Sequence, residues 1–274
     1  MVVVNPRVSI VLPVWNGARY LEGTLSSLRS QTMGDYELII IDDGSDDGTS
    51  AILSKGAQVD HRIKLITNRR RSGMGFVFNQ GIGLATADYV ARMDGDDIAH
   101  PERLARQLDF LEANSGVVIV GSQIQLIDSL GALLGIRRYP LSDIDLRRAM
   151  ARYSPFAHPA TMYRRRAVLD LGGYDSRWAP AEDLDLWIRL SRVGELANLP
   201  DTLLSYRLHG ESVTSRQGLR MQAQSARVRI NGVKRHGLRM SFFDVVLATA
   251  QLFAAPLPYS KRMELFAFYR RLLG

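Results

Sequence analysis

The chain has 274 residues, 46% of them hydrophobic and 23% charged, with 23 glycines and ten prolines. This is a globular composition that excludes disorder and leaves no need for covalent staples. There is no cysteine, which excludes disulfides, thiolate metal sites and cysteine nucleophiles and fits a reducing compartment. The net charge of +7 is unevenly spread: residues 1–204 hold 23 Lys and Arg against 25 Asp and Glu, and residues 205–274 hold 12 against 3. A basic final quarter on a near-neutral body points to an acidic partner or to a solvated charged face.

The opening MVVVNPRVSIVLPVWNG lacks a basic n-region and a small-residue cleavage site, so it reads as a strand over residues 8–14 and not as a signal peptide. Asn16 offers an N-cap, and Leu21, Leu25 and Leu28 recur at helical spacing. Strands are expected at 37–41, 62–66 and 89–93, and helices at 49–53 and 75–85. Pro101 then opens a helix through Leu104, Leu108 and Leu111. Continuous apolar strands alternating with helices predict an α/β fold with a mainly parallel, helix-covered sheet. Beyond residue 115 the rhythm changes. Strands are expected at 117–120, 123–127, 133–138 and 203–208, and helices at 142–150, 164–171 and 184–193. The last stretch reads as helices over 217–236, 241–255 and 259–272.

Acidic residues cluster where strands end. Asp42 and Asp43 follow one strand, and Asp94, Asp96 and Asp97 follow another. In open α/β sheets ligands bind beyond the carboxyl ends of the strands, and several carboxylates at one rim repel each other unless a cation or donors offset them. Each cluster alone is more often a turn or a helix cap. Calcium loops are excluded. Starting from Asp43, Ser54 stands where the twelfth-position glutamate belongs; starting from Asp94, Ala99 and Ala105 replace the required glycine and glutamate. Gly73-x-Gly75 continues to Phe78 and Gly81-x-Gly83 to Thr86, so neither completes a dinucleotide fingerprint, and no P-loop is present. Asp-x-Asp in a turn can instead face one hard divalent cation, Mg²⁺ or Mn²⁺, bridging a diphosphate.

With these residues identified, the sequence resembles the family 2 glycosyltransferases of GT-A fold. The resemblance runs from Val8 to about Ser215. It rests on ordered pieces: VSIVLPVWNGARYL, SLRSQTMGDYELIIIDDGSDDGT, GFVFNQGIGLATADYVARMDGDDIAHPERL, FAHPATMYRRRAVLDLGGYD, AEDLDLWIRLSRVG and LLSYRLHGESVT. It implies a catalytic domain over 1–215, with a nucleotide-binding half to about 115 and an acceptor half over 116–215, followed by a basic helical tail over 216–274. It implies that Pro13, Val14 and Trp15 line a nucleobase, and that Asp43, beside Asp42, reaches the base or ribose. Asp94 is then a ribose or sugar contact and Asp96 a direct metal ligand. Asp183, next to Glu182, is the catalytic base, and His209 a metal or diphosphate contact. Trp15 departs from the commoner tyrosine and Phe78-Asn79 from a common Arg-Asn, which leaves open which of Arg69, Arg70 and Arg71 meets the nucleotide.

The implied activity is inverting, metal-assisted transfer from a nucleotide-diphosphate sugar, UDP-linked, to a glycan or lipid-linked acceptor in cell-envelope polysaccharide synthesis. A nucleotidyltransferase would want a glycine-rich basic loop after the first strand, which PVWNGARYL does not supply. A pure nucleotide-sugar binder would not need the base. No nucleic-acid motif accompanies the basic tail. Asp183 is equally readable as a helix cap; His209 has a second reading as a loop histidine, and the Arg164-Arg165-Arg166 run reads as solvated charge or as a contact to an acidic acceptor. Residues 242–257 are apolar but too short and interrupted to span a bilayer. With Lys261, Arg262, Arg270 and Arg271 nearby, the 240–274 segment suits either an anionic membrane surface or packing on the body or on a second subunit. The expected location is cytoplasmic, with peripheral contact at the inner membrane face.

Overall fold

The computed structural model describes residues 5–210 and 218–246. Strands β1 (Val8–Val14), β2 (Tyr36–Asp42), β3 (Ile63–Thr67) and β4 (Tyr89–Arg92) lie parallel in the order β3-β2-β1-β4. They are joined by α1 (Ala18–Arg29), α2 (Thr49–Val59) and α3 (Met74–Leu84). Strand alternation sends side chains into two separate cores. Val8, Ile10, Leu12 and Val14 of β1 pack with Leu21, Leu25 and Leu28 of α1 on one face. Val11, Ile39 and Ile41 meet Val77, Phe78 and Ile82 of α3 on the other. Burial on both faces explains why these strands read as unbroken apolar runs.

The second half comprises β5 (Ile98–Ala99), α4 (Arg103–Ala113), β6 (Val117–Ile127), β7 (Leu133–Arg137), α5 (Asp143–Met150), β8 (Met162–Arg164), α6 (Arg165–Asp170), α7 (Glu182–Leu190), β9 (Glu195–Arg207) and α8 (Gly218–His236). The sheet continues β4-β8-β6-β9-β5, with β7 on β6. Here the pairing is mixed: β8 is antiparallel to β4 and β6, while β9 runs parallel to β6. The two strands expected at 117–120 and 123–127 are one, with register shifts around Gln123, whose amide donates to the carbonyls of Tyr139 and Leu199.

The Arg164-Arg165-Arg166 run is not a uniformly solvated patch. Arg164 donates to the carbonyls of Leu111 and Val117, and Arg165 to that of Ile82, so both stitch strand and helix ends together. Arg166 alone is strongly exposed, paired with Asp170 one turn on. Helix α8 docks on α7, with Val228, Arg229 and Gly232 buried and the Arg229 guanidinium donating to the Met150 carbonyl at 3.0 Å. After it, Ser241 and Asp244 form a reciprocal cap that opens the helical residues 242–246, and Asp244 pairs with Arg152 at 2.6 Å. Most of the helix expected at 241–255 and all of that at 259–272 lie outside the described residues.

Candidate active site

The parallel register brings the carboxyl ends of β1, β2 and β4 to one rim: Val14 sits beside Asp42, and Val11 beside Arg92. Trp15 leaves β1 partly exposed, and the Arg71 guanidinium lies 3.7 Å over its ring. That singles out Arg71 among the three consecutive arginines as the one facing the predicted base-lining residue. Pro13 and Val14 are buried, so they back the rim while Trp15 presents a face.

Asp42 and Asp43 are held by different partners. Asp42 is fully buried and accepts from the Ser45 backbone N–H at 3.0 Å and from the Ser50 hydroxyl. It shapes the turn. Asp43, 5% exposed, accepts from Asn68 Nδ2 at 3.0 Å and from the N–H groups of Ser72 and Gly73 at 2.9 and 3.0 Å. It pins the loop that carries Arg71. Gly44 must stay glycine here, because its φ is +76° and a Cβ would stand 3.0 Å from the Arg70 backbone.

The turn after β4 holds three carboxylates with ligand atoms all within 4.8 Å of one another, those of Asp94, Asp96 and Asp97. Each has its own tether. Asp94 Oδ2 meets Arg92 Nη1 at 2.5 Å. Asp96 Oδ2 meets His209 Nε2 at 2.7 Å. Asp97 Oδ1 accepts from the Arg207 backbone N–H at 2.9 Å. Asp97 Oδ2 is buried without a hydrogen-bond partner. Burial and mutual repulsion push Asp97 well above the usual carboxylate range; burial also raises Asp94, against the pull of Arg92. Crowded hard oxygen donors, a buried unpartnered carboxylate oxygen and an adjacent imidazole fit a divalent cation. The two expected metal ligands, Asp96 and His209, are thus brought into direct contact across 113 residues.

Asp183 sits in the first turn of α7. The helix starts at Glu182 and is flanked by Ala181, with no side-chain cap, so the capping role open to Asp183 in the sequence is not the one it plays. Ser154 Oγ lies 3.4 Å from Asp183 Oδ2. Burial raises the Asp183 pKa, against the Leu184 N–H and the charge of Arg92. Glu182 is buried, its Oε2 has no hydrogen-bond partner, and burial pushes it up to about 7.

Arg92 connects the two sides, and sequence reading missed it. An arginine closing an apolar strand run, in YVAR, was the available signal, and the structure buries it. Its guanidinium lies 4.9 Å over Phe78, whose ring contacts Tyr174 and His158 at 5.0 and 4.9 Å. His158 bonds Tyr174 Oη at 2.8 Å and packs edge-on to Trp187 of α7; burial holds it neutral. Arg92 therefore acts electrostatically on Asp94, Asp97, Glu182 and Asp183 together.

The fold and site define a GT-A-like transferase scaffold, and comparison with known proteins gives the family. Residues 9–172 match the profile of glycosyl transferase family 2, and the chain belongs to that family. The amylovoran biosynthesis glycosyltransferase AmsE of Erwinia amylovora is 30% identical over 77% of this chain and 79% of its own length. Among solved structures, S. aureus TarS (residues 1–349, with UDP-GlcNAc) shares the fold at a TM-score of 0.69 and 19% identity, over 91% of this chain and 72% of its own. The Pyrobaculum calidifontis mannosyltransferase PcManGT, bound to GDP-Man and Mn²⁺, does so at 0.63 and 17%, over 98% and 80%. The protein is a glycosyltransferase.

Proposed function

We propose that this transferase moves a sugar from a UDP-sugar to a hydroxyl of a glycan or lipid-linked acceptor, with inversion at the anomeric carbon, in envelope polysaccharide synthesis at the cytoplasmic face of a membrane. The observation that carries it is the pairing of a cation-fitting carboxylate turn with a separate carboxylate pair, buried Glu182 and half-buried Asp183, under one arginine. Residues 1–115 supply the donor contacts and residues 116–215 the acceptor side. Trp15 and Arg71 offer the faces for a base, and Asp94 the contact to ribose or sugar. The nucleotide-sugar complexes of TarS and PcManGT support a nucleotide-diphosphate donor, and the Mn²⁺ of PcManGT supports the cation.

In this reading Asp183 takes the proton from the acceptor hydroxyl as its oxygen bonds to the anomeric carbon. The bond from that carbon to the diphosphate oxygen breaks, and the diphosphate keeps the electron pair. A raised pKa makes Asp183 a stronger base than an exposed aspartate. Asp96, His209 and Asp97 would hold Mn²⁺ or Mg²⁺, which when bound supplies charge neutralisation for the departing diphosphate. No second nucleophilic carboxylate is required.

The test is transfer from a panel of UDP- and GDP-sugars with Mn²⁺ or EDTA, for wild type and Asp183→Asn. Transfer should need the cation and fall by about 10²–10⁴-fold in the variant, with UDP affinity kept within a few-fold. Wild-type turnover by Asp183→Asn would remove the base assignment. Equal UDP affinity with Mn²⁺ and EDTA would remove the cation, and nucleotide binding without turnover of any donor would leave a binder.

A further inference from the structure

The three carboxylates after β4 differ in what restrains them, and the difference assigns them separate tasks. Asp96 and Asp97 are tethered by groups that a ligand can share or displace: the imidazole Nε2 of His209 and one backbone N–H. Asp94 is tethered by a permanent cation. Arg92 Nη1 lies 2.5 Å from its Oδ2, and an arginine stays protonated under all working conditions.

Arg92 is also unable to move aside. Its side chain is 5% exposed and lies against the Phe78 ring. Its own carbonyl is held by Arg103 Nη2 at 2.6 Å, which also reaches the Thr161 carbonyl. Its Nε and Nη1 have no well-aligned hydrogen bond among the described residues, and Asp94 is the carboxylate in ion-pair contact with the guanidinium, while Asp97 acts on it from farther off. A carboxylate oxygen locked onto a fixed guanidinium is a poor ligand for a divalent cation, although it remains within 4.8 Å of the other two. Every added carboxylate ligand would tighten the cation.

We infer that Arg92 is a positioning residue that withholds Asp94 from the cation and holds it for the donor, leaving the cation to Asp96, Asp97 and His209. This rests on the cation reading above and on the roles the family resemblance implies for Asp94 and Asp96; what it adds is the part of Arg92 in keeping them apart. Without Arg92, Asp94 is released to join the cation. Metal affinity then rises while donor affinity falls. A purely structural arginine would lower both.

The experiment titrates Mn²⁺ alone by calorimetry, then UDP at saturating Mn²⁺, for wild type, Arg92→Met, Asp94→Asn and the double variant. Arg92→Met should bind Mn²⁺ about tenfold more tightly, as an added carboxylate ligand does, and UDP about tenfold more weakly. Asp94→Asn should lower Mn²⁺ affinity by less than about tenfold, the loss of a nearby charge and not of a ligand, and should also weaken UDP. In the double variant the Mn²⁺ gain should vanish. A gain that persists there is plain charge removal and overturns the inference. So does a tenfold loss of Mn²⁺ by Asp94→Asn, which would make Asp94 a ligand already. Should Arg92→Met not fold, Asp94→Asn decides alone. A wild type that binds no Mn²⁺ overturns the cation reading and this inference together, whereas a binding wild type with an unchanged Arg92→Met overturns only the latter.

Discussion

Glu182 occupies the first turn of α7 with one carboxyl oxygen buried and unbonded, which costs stability whenever the group is charged. Burial lifts its pKa from 4.5 to about 7. Between those values the folded protein keeps a proton that the unfolded chain has released. Stability therefore falls as pH rises from about 4.5 to about 7 and stays lower above. The full difference is about 3 kcal/mol, at 1.36 kcal/mol per pKa unit. Glu182→Gln keeps the shape and removes the charge. It should be more stable than wild type at pH 8 and nearly equal at pH 5, by urea denaturation, and it should lose transfer activity. Parallel stability profiles for the two proteins would show that Glu182 is not the buried acid described. A stabilising change that damages turnover is what a carboxylate retained for function predicts.

Helix α3 shows how closely the donor half is packed. A Cβ on Gly81 would lie 2.4 Å from Val11 Cγ1 and 3.3 Å from Ile41 Cδ1, so the helix backbone rests directly on β1 and β2. Gly81→Ala should destabilise by about 1–3 kcal/mol through overpacking, despite alanine's better helix propensity; an unchanged urea midpoint would contradict that contact. The elements most readable from sequence were those with this dense two-sided burial: β1, β2 and β4, and α1 and α4 with their leucine spacing. β9 was read only at its end, 203–208, because Asn198, Pro200 and Asp201 break its apolar pattern. Asn198 is nonetheless buried, donating to the carbonyls of Pro140 and Pro155. The two-residue β5 and three-residue β8 are set by their partners and carry no periodicity of their own. In the site, Asp183 and His209 were singled out only by the family resemblance, whereas the acidic turn of Asp94, Asp96 and Asp97 was legible from residue types and spacing. The Arg92 link was not, because a buried ion pair is a property of tertiary neighbours.

At the scale of the molecule, the basic surplus falls on a surface with apolar patches. Arg220, Arg227, Lys234, Arg235 and Arg239 are exposed, and so are Leu219, Ile230, Val233, Phe242, Phe243, Val245 and Val246. No helix among the described residues is long and apolar enough to cross a membrane. Exposed cations interleaved with exposed apolar side chains suit the plane of an anionic bilayer, where each Lys or Arg contributes about 1 kcal/mol and each apolar side chain adds area. Binding to vesicles should therefore require anionic lipid and weaken as salt rises. Phe242 is 85% exposed, so Phe242→Glu leaves the folded body untouched. On a membrane it inserts a charge at the contact, and vesicle affinity should fall by about tenfold or more while donor turnover in solution stays the same. Removing 240–274 should release the protein from vesicles while leaving donor hydrolysis largely intact, because Asp96, Asp183 and His209 all precede the cut. If Phe242→Glu changes the sedimentation of the protein and not its vesicle binding, the apolar face joins subunits, and the membrane assignment falls.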